Sequence, residues 1–212
     1  MDNDLNNKDN KCCINGNAVH SCACCKTDTG CCPHTGSSGE TLNSAFVNNN
    51  ACTGTDIEFI LKNFEKLVDN DDDLVICMIG TNNRHQFFVD APKHTPEEHL
   101  EGFYQNILRL HRRFLEEGKR VIFMAGTPAS AENEKDGEDY WRLFHMADVC
   151  AAYKKASEER GFPLISLYDL FLDYCKAEKI TVDSLLCDGL HPNDTGYEVM
   201  FKLVKQALFE NP

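Results

Sequence analysis

From residue 45 onward, short apolar runs alternate with stretches whose apolar residues recur every three or four positions, which predicts strands and helices in turn. Ala45, Phe46 and Val47 are a short strand candidate. Residues 56–68 put Ile57, Ile60, Leu61, Phe64 and Leu67 on one helical face, with Asp56 as N-cap. Residues 74–79 read Leu-Val-Ile-Cys-Met-Ile with no polar break, as expected of a central parallel strand covered on both faces. Residues 96–117 are a long amphipathic helix, with Thr95 as N-cap, Pro96 in the first turn and Gly118 ending it. Residues 121–125 repeat the buried-strand pattern. Residues 139–160 read as a helix stopped by Gly161, 164–167 as a strand, and 170–177 and 196–209 as helices. Strands alternating with helices imply an α/β protein: a parallel sheet with helices on both faces, joined by right-handed crossovers.

Residues 1–44 show neither period. They are rich in Asn, Cys, Gly, Ser and Thr, and read as a low-order N-terminal segment before a domain over 45–212. Seven of the twelve cysteines fall there: Cys12, Cys13, Cys22, Cys24, Cys25, Cys31 and Cys32. Three readings stand: an extension without function, a zinc or copper site helped by His20 and His34, or disulfides in an exported protein. The spacing matches no paired Cys-x-x-Cys site, so the first ranks highest and metal second. Cys52, Cys77, Cys150, Cys175 and Cys187 are scattered and read as small buried hydrophobes of a reducing compartment.

Charge narrows the function classes. A net charge of −13 argues against nucleic acid or an anionic membrane as partner. No apolar stretch approaches the roughly 20 residues of a membrane span. The start Met1-Asp2-Asn3-Asp4 lacks the basic and apolar regions of a secretory signal, so a soluble, cytoplasmic protein is expected.

Open α/β sheets bind ligands beyond the carboxyl ends of their strands, and three loops there are chemically unusual. In Cys187-Asp188-Gly189-Leu190-His191-Pro192-Asn193, the Asp and His can pair, fixing the imidazole tautomer and freeing Nε2 to take a proton. The same residues also suit an ordinary turn before a helix. In Gly80-Thr81-Asn82-Asn83, directly after the strand at 74–79, Gly80 allows close backbone approach and an Asn amide can meet a developing oxyanion; a plain turn is the alternative. In Asn49-Asn50-Ala51-Cys52-Thr53-Gly54-Thr55, the Gly54 N–H is a second candidate donor.

Taken in this order, the three motifs resemble the SGNH/GDSL hydrolase family (GDSL-like lipase/acylhydrolase). Gly54 looks like that family's block II glycine, Gly80-Thr81-Asn82 like its Gly-x-Asn block III, and Asp188-Gly189-Leu190-His191 like its Asp-x-x-His block V. The resemblance covers roughly residues 45–209. It implies a three-layer α/β/α domain with a parallel, flavodoxin-like sheet, and a serine esterase or acylhydrolase working through an acyl-enzyme without metal or organic cofactor. It implies Asp188 and His191 as catalytic pair, Gly54 and Asn82 as oxyanion hole, and Gly80, Thr81 and Asn83 as substrate-binding residues. The partner it implies is a small ester, such as an acetylated carbohydrate or a short acyl ester. Block I, Gly-Asp-Ser after a first hydrophobic strand, is degenerate or missing. The nearest string is Thr35-Gly36-Ser37-Ser38-Gly39, which makes Ser38 the candidate nucleophile and Ser21 the next. That departure sustains an alternative: a catalytically impaired relative that binds ligands in the old pocket. A third reading is a Cys-rich metal-binding protein carrying a degenerate α/β domain.

Other residues read as structural. Arg84 and His85 are expected in a solvated loop, and His99 and His111 on a helix surface. Tyr140, Trp141 and Phe144 are expected to pack, and Asp71-Asp72-Asp73 to form an acidic turn.

Overall fold

The computed structural model describes residues 47–85, 95–135 and 142–209. By its internal contacts the chain divides into two units, Met1–Gly54 and Thr55–Pro212. Of the first unit, residues 47–54 are described; they form an exposed stretch ending in a turn in which Gly54 has a φ of 72°. The strand expected at Ala45–Val47 lies largely outside the described residues, and Val47 itself is exposed and irregular.

The second unit follows the predicted alternation: α1 (Ile57–Lys62), α2 (Phe64–Leu67), β1 (Leu74–Met78), α3 (Pro96–Glu116), β2 (Arg120–Ala125), α4 (Met146–Arg160), β3 (Leu164–Ser166), α5 (Leu167–Glu178) and α6 (Asp194–Phe209). The strands are parallel in the order β1-β2-β3, with Cys77 opposite Phe123 and Met124 opposite Ile165.

Local chemistry sets the boundaries. Asp56 caps α1 by accepting from the Phe59 N–H at 2.8 Å. The single helix expected over 56–68 is broken at Asn63, whose side chain donates to the Phe59 carbonyl at 3.0 Å and ends α1 there. Thr95 caps α3 as expected and, with Glu98, forms a reciprocal capping box around Pro96 at its start. α4 ends at Gly161 as expected but starts at Met146, later than the pattern suggests. α6 starts two residues early because Asn193 caps it, accepting from the Gly196 N–H at 2.9 Å.

Two apolar clusters sandwich the sheet. Cys77, Val121, Phe123 and Ala125 pack against α3 and α4 through Phe103, Ile107, Phe114, Val149 and Tyr153. On the opposite face, Met124 and Ile165 pack against Leu167 and Phe171 of α5 and Val199 of α6. This is the three-layer arrangement expected.

Three expectations need correction. β1 is not central among the described strands: it lies at the edge of the sheet, and Leu74, Ile76 and Met78, alternating with half-buried Val75 and buried Cys77, are exposed. A continuous apolar run implies cover on both faces, and here the described residues cover one. His111 is not a surface residue; it is buried beside Phe162, with ring centroids 4.9 Å apart, and burial lowers its imidazole's affinity for a proton. The scattered cysteines, all expected to be buried, divide: Cys77, Cys150 and Cys175 are buried thiols, whereas Cys187 is exposed and Cys52 is half-buried and disulfide-bonded. Among the described residues no helix is long and apolar enough to cross a membrane.

Candidate active site

The turn before α6 is built by short-range hydrogen bonds. The Cys187 N–H donates to the His191 carbonyl at 2.8 Å, and the Asn193 N–H to the Leu185 carbonyl at 2.9 Å. Within this frame Asp188 saturates its own turn. Its Oδ1 accepts from the backbone N–H groups of Leu190 (3.0 Å) and His191 (2.7 Å). Its Oδ2 lies 2.7 Å from His191 Nδ1. Burial works to raise the Asp188 carboxyl, but these hydrogen bonds and the imidazole outweigh it and hold the group below the ordinary carboxylate range. An ionised Asp188 fixes the tautomer with the proton on Nδ1, so Nε2 presents a lone pair, and Nε2 has no hydrogen bond to a described residue. The His191 side chain is 66% exposed and that of Asp188 53%, so the pair is reachable from solvent.

The Gly-x-Asn turn follows β1 directly. Gly80 has a φ of 123°, and a Cβ there would lie 2.7 Å from Phe103 Cζ and 2.9 Å from Val149 Cγ1, so a side chain is excluded on both counts. The chain then makes one 3₁₀ turn over Asn82–Arg84. The Asn82 amide donates to the carbonyl of Thr55, the residue after Gly54, at 2.8 Å. Asn83 is buried, and its side chain is engaged at the start of α1: its carbonyl accepts from the Ile57 N–H at 3.1 Å and its amide donates to Glu58 at 2.8 Å. Thr81 is half-buried and its carbonyl accepts from Arg84 Nε at 3.3 Å. Gly54 belongs to the other unit of the chain. Ser38, Ser21, Tyr140 and Trp141 lie outside the described residues.

Sequence reasoning missed the ionic cluster beside this turn. Arg84, expected in a solvated loop, is 0% exposed, and its Nη1 meets Glu134 Oε1 at 2.7 Å. The other Glu134 oxygen meets Arg142 at 3.2 Å and His145 Nδ1 at 2.6 Å. Burial acts to raise the Glu134 carboxyl; the Arg84 charge and the donors from His145, Met146 N–H and Arg142 outweigh it and hold it low. His85 is half-buried and sits beside this cluster; its imidazole is driven toward neutrality by burial and by the Arg84 and Arg142 charges. Nothing in the sequence brings Arg84 and Glu134 together across 50 positions. Among the described residues no three metal-ligating side chains converge.

The structure resembles several solved esterases. An acetylxylan esterase from Geobacillus stearothermophilus superposes with a TM-score of 0.55 at 19% identity, over 74% of this chain and 68% of that one. An acetyl xylan esterase gives 0.58 at 17% identity, over 74% and 77%. A protein described as a GDSL-like lipase from Parabacteroides merdae gives 0.56 at 17% identity, over 73% and 68%. At these identities the likeness is one of fold. No curated protein matches the chain. A sequence profile of the GDSL-like Lipase/Acylhydrolase family matches residues 33–199, which span the Gly-x-Asn turn, the buried cluster and the Asp188–His191 pair, and the chain belongs to that family.

Proposed function

We propose that this protein hydrolyses carboxylic esters through an acyl-enzyme, with His191 as general base and Asp188 as the carboxylate that orients it. The observation carrying this reading is the 2.7 Å bond from His191 Nδ1 to Asp188 Oδ2 in a solvent-reachable turn, which leaves Nε2 available as a base. A serine hydroxyl, assigned from the sequence to Ser38, attacks the ester carbonyl as Nε2 takes its proton. The resulting imidazolium, stabilised by Asp188, returns the proton to the leaving alcohol. Water then repeats the sequence on the acyl-enzyme and frees the acid.

The oxyanion is assigned to Asn82 and the Gly54 N–H. A side-chain amide has two N–H bonds; one at Asn82 holds the Thr55 carbonyl, and the other is the proposed donor. Gly80 and Thr81 are proposed to border the substrate, and Asn83 to support them by fixing the turn against α1. The substrate is a small ester. An acetyl group on a carbohydrate is favoured, because the similar acetylxylan esterases are named for that chemistry. The scheme calls for no cofactor.

Purified protein assayed on p-nitrophenyl acetate and on acetylated xylo-oligosaccharides, beside Ser38→Ala, tests this. Hydrolysis that vanishes in Ser38→Ala supports the full scheme. Hydrolysis that survives moves the nucleophile to Ser21. No hydrolysis of any ester by the wild type overturns the reading in favour of a ligand-binding relative.

A further inference from the structure

We propose that Glu134 is a positioning residue: clamped by Arg84, Arg142 and His145, it locks the loop after β2 so that this loop holds the Asn82 turn and the Asp188–His191 turn in register. The inference rests on the esterase reading and deepens it, because it assigns the residue that keeps the two turns in register with each other.

The hydrogen bonds form a continuous path. On the Asn82 side, the Arg84 guanidinium uses Nε for the Thr81 carbonyl at 3.3 Å, Nη1 for Glu134 at 2.7 Å and Nη2 for Asn133 Oδ1 at 3.4 Å. One planar, rigid group thus joins the turn carrying Asn82 to residues 133 and 134. Within the β2 loop, the Glu134 N–H donates to the Ser130 carbonyl at 2.9 Å and the Asn133 N–H to Ser130 Oγ at 3.0 Å. On the far side, the Ser130 N–H donates to the Gly189 carbonyl at 2.8 Å. Gly189 is the residue between Asp188 and Leu190. It has a φ of 81°, and a Cβ there would lie 2.6 Å from Ser130 Oγ, so the β2 loop presses directly on the Asp-x-x-His turn.

Glu134 is the node that keeps this loop in place. Its Oε1 accepts from Arg84 and from the Met146 N–H at 3.3 Å, and its Oε2 from Arg142 and His145. Four donors from two parts of the chain converge on one carboxylate, which ties the loop to the start of α4. The Leu143 N–H, donating to the Arg84 carbonyl at 2.7 Å, braces the same corner from behind. Both Asp188 oxygens are used inside the Asp188–His191 turn, so neither reaches the loop after β2. Beside the packing of Leu190 on the core, the turn's hydrogen bond to the loop after β2 is the one from Ser130 to Gly189, and that bond is only as fixed as the loop beneath it.

Glu134→Gln keeps the shape but places an amide NH₂ against donors. Steady-state kinetics on p-nitrophenyl acetate and amide hydrogen exchange on the intact chain read the result. Expected is a loss of kcat of up to about 10²-fold, the scale of displacing a reacting group by an ångström, with KM changed by less than about threefold. Exchange in 185–193, where Cys187, Leu190 and His191 carry hydrogen-bonded amides, should accelerate by about tenfold while α3 and α4 stay protected. Arg84→Lys, which keeps the charge but not the three-way reach, should show the same pattern more weakly, and it serves if Glu134→Gln fails to fold. Unchanged exchange in 185–193, unchanged kcat, or a loss of protection spread evenly over all helices would each overturn the proposal. Should the wild type hydrolyse no ester, the esterase reading falls, and the exchange of 185–193 decides the coupling by itself.

Discussion

Two carboxylate–imidazole pairs among the described residues are of nearly equal length and differ in almost everything else. Asp188 and His191 lie three residues apart in one turn, 2.7 Å apart and more than half exposed, with the carboxylate serving a single imidazole. Glu134 and His145 lie 2.6 Å apart across eleven residues, and that carboxylate also serves two arginines, one of them 0% exposed. A carboxylate that faces one imidazole orients the ring and sets its tautomer. One shared among Arg84, Arg142 and His145 has its charge divided, and acts as a fastener. Length alone does not mark a catalytic pair; the number of other cations on the carboxylate and access to the free ring nitrogen do.

The widest separation between the pairs should appear when each is removed. His191→Ala is expected to lower kcat/KM for short acyl esters by roughly 10⁴-fold, with stability shifted by no more than about 0.5 kcal/mol because the side chain is exposed. Glu134→Ala should do the reverse in stability, at a cost of about 3–5 kcal/mol, since it strips the buried Arg84 guanidinium of its counter-charge. Urea unfolding beside ester kinetics measures both. Equal stability losses in the two variants would dissolve the distinction.

Asn82→Ala should fall between them. Losing one oxyanion donor lowers kcat by about 10²–10³-fold with KM nearly unchanged. The same change also frees the Thr55 carbonyl, which should cost about 1 kcal/mol of stability. A rise in KM with kcat intact would instead assign Asn82 to substrate binding.

The two pairs were not equally legible in the sequence. Asp188 and His191 are local, so their spacing and the intervening Gly189 suffice to suggest the pair, and the Thr95 N-cap of α3 is local in the same way. The family motifs then connect the Asp188–His191 turn to the Gly80–Asn82 turn. Arg84 and Glu134 belong to polar stretches that look solvated when read singly, and His145 falls within the helix expected over 139–160. Their burial is a product of topology, since parallel strands bring the loops after β1 and β2 to one end of the sheet. For the same reason the continuous apolar run at 74–79 suggested a doubly covered strand. A sequence shows how apolar a strand is, but the neighbours that bury it come from elsewhere in the chain. The break at Asn63 was hidden by a helix period that continues through it, because the competing side-chain bond leaves no trace in apolar spacing.

The smallest expected effect separates the pairs by acidity. Both carboxyl groups are held below their ordinary values, Glu134 from 4.5 and Asp188 from 3.8. A depressed carboxyl contributes stability that is fully present above its unfolded value and is lost as the pH falls through the folded one. Neither group should therefore impose a slope on stability above about pH 5, and both should do so in the acid range below it. Glu134 begins to lose its share at the higher pH, because its unfolded value is higher, and its share is the larger because its charge is half-buried among cations. Asp188 contributes less, since its exposed charge is screened by solvent. Thermal midpoints measured from pH 6 to pH 3 should thus drop more gently in Glu134→Gln than in the wild type, with the curves converging at low pH. Asp188→Asn should follow the wild-type curve closely while its esterase activity is lost. If Asp188→Asn flattened the acid limb more than Glu134→Gln, the exposed pair would be the one that holds the fold, and the division of roles between the two would be reversed.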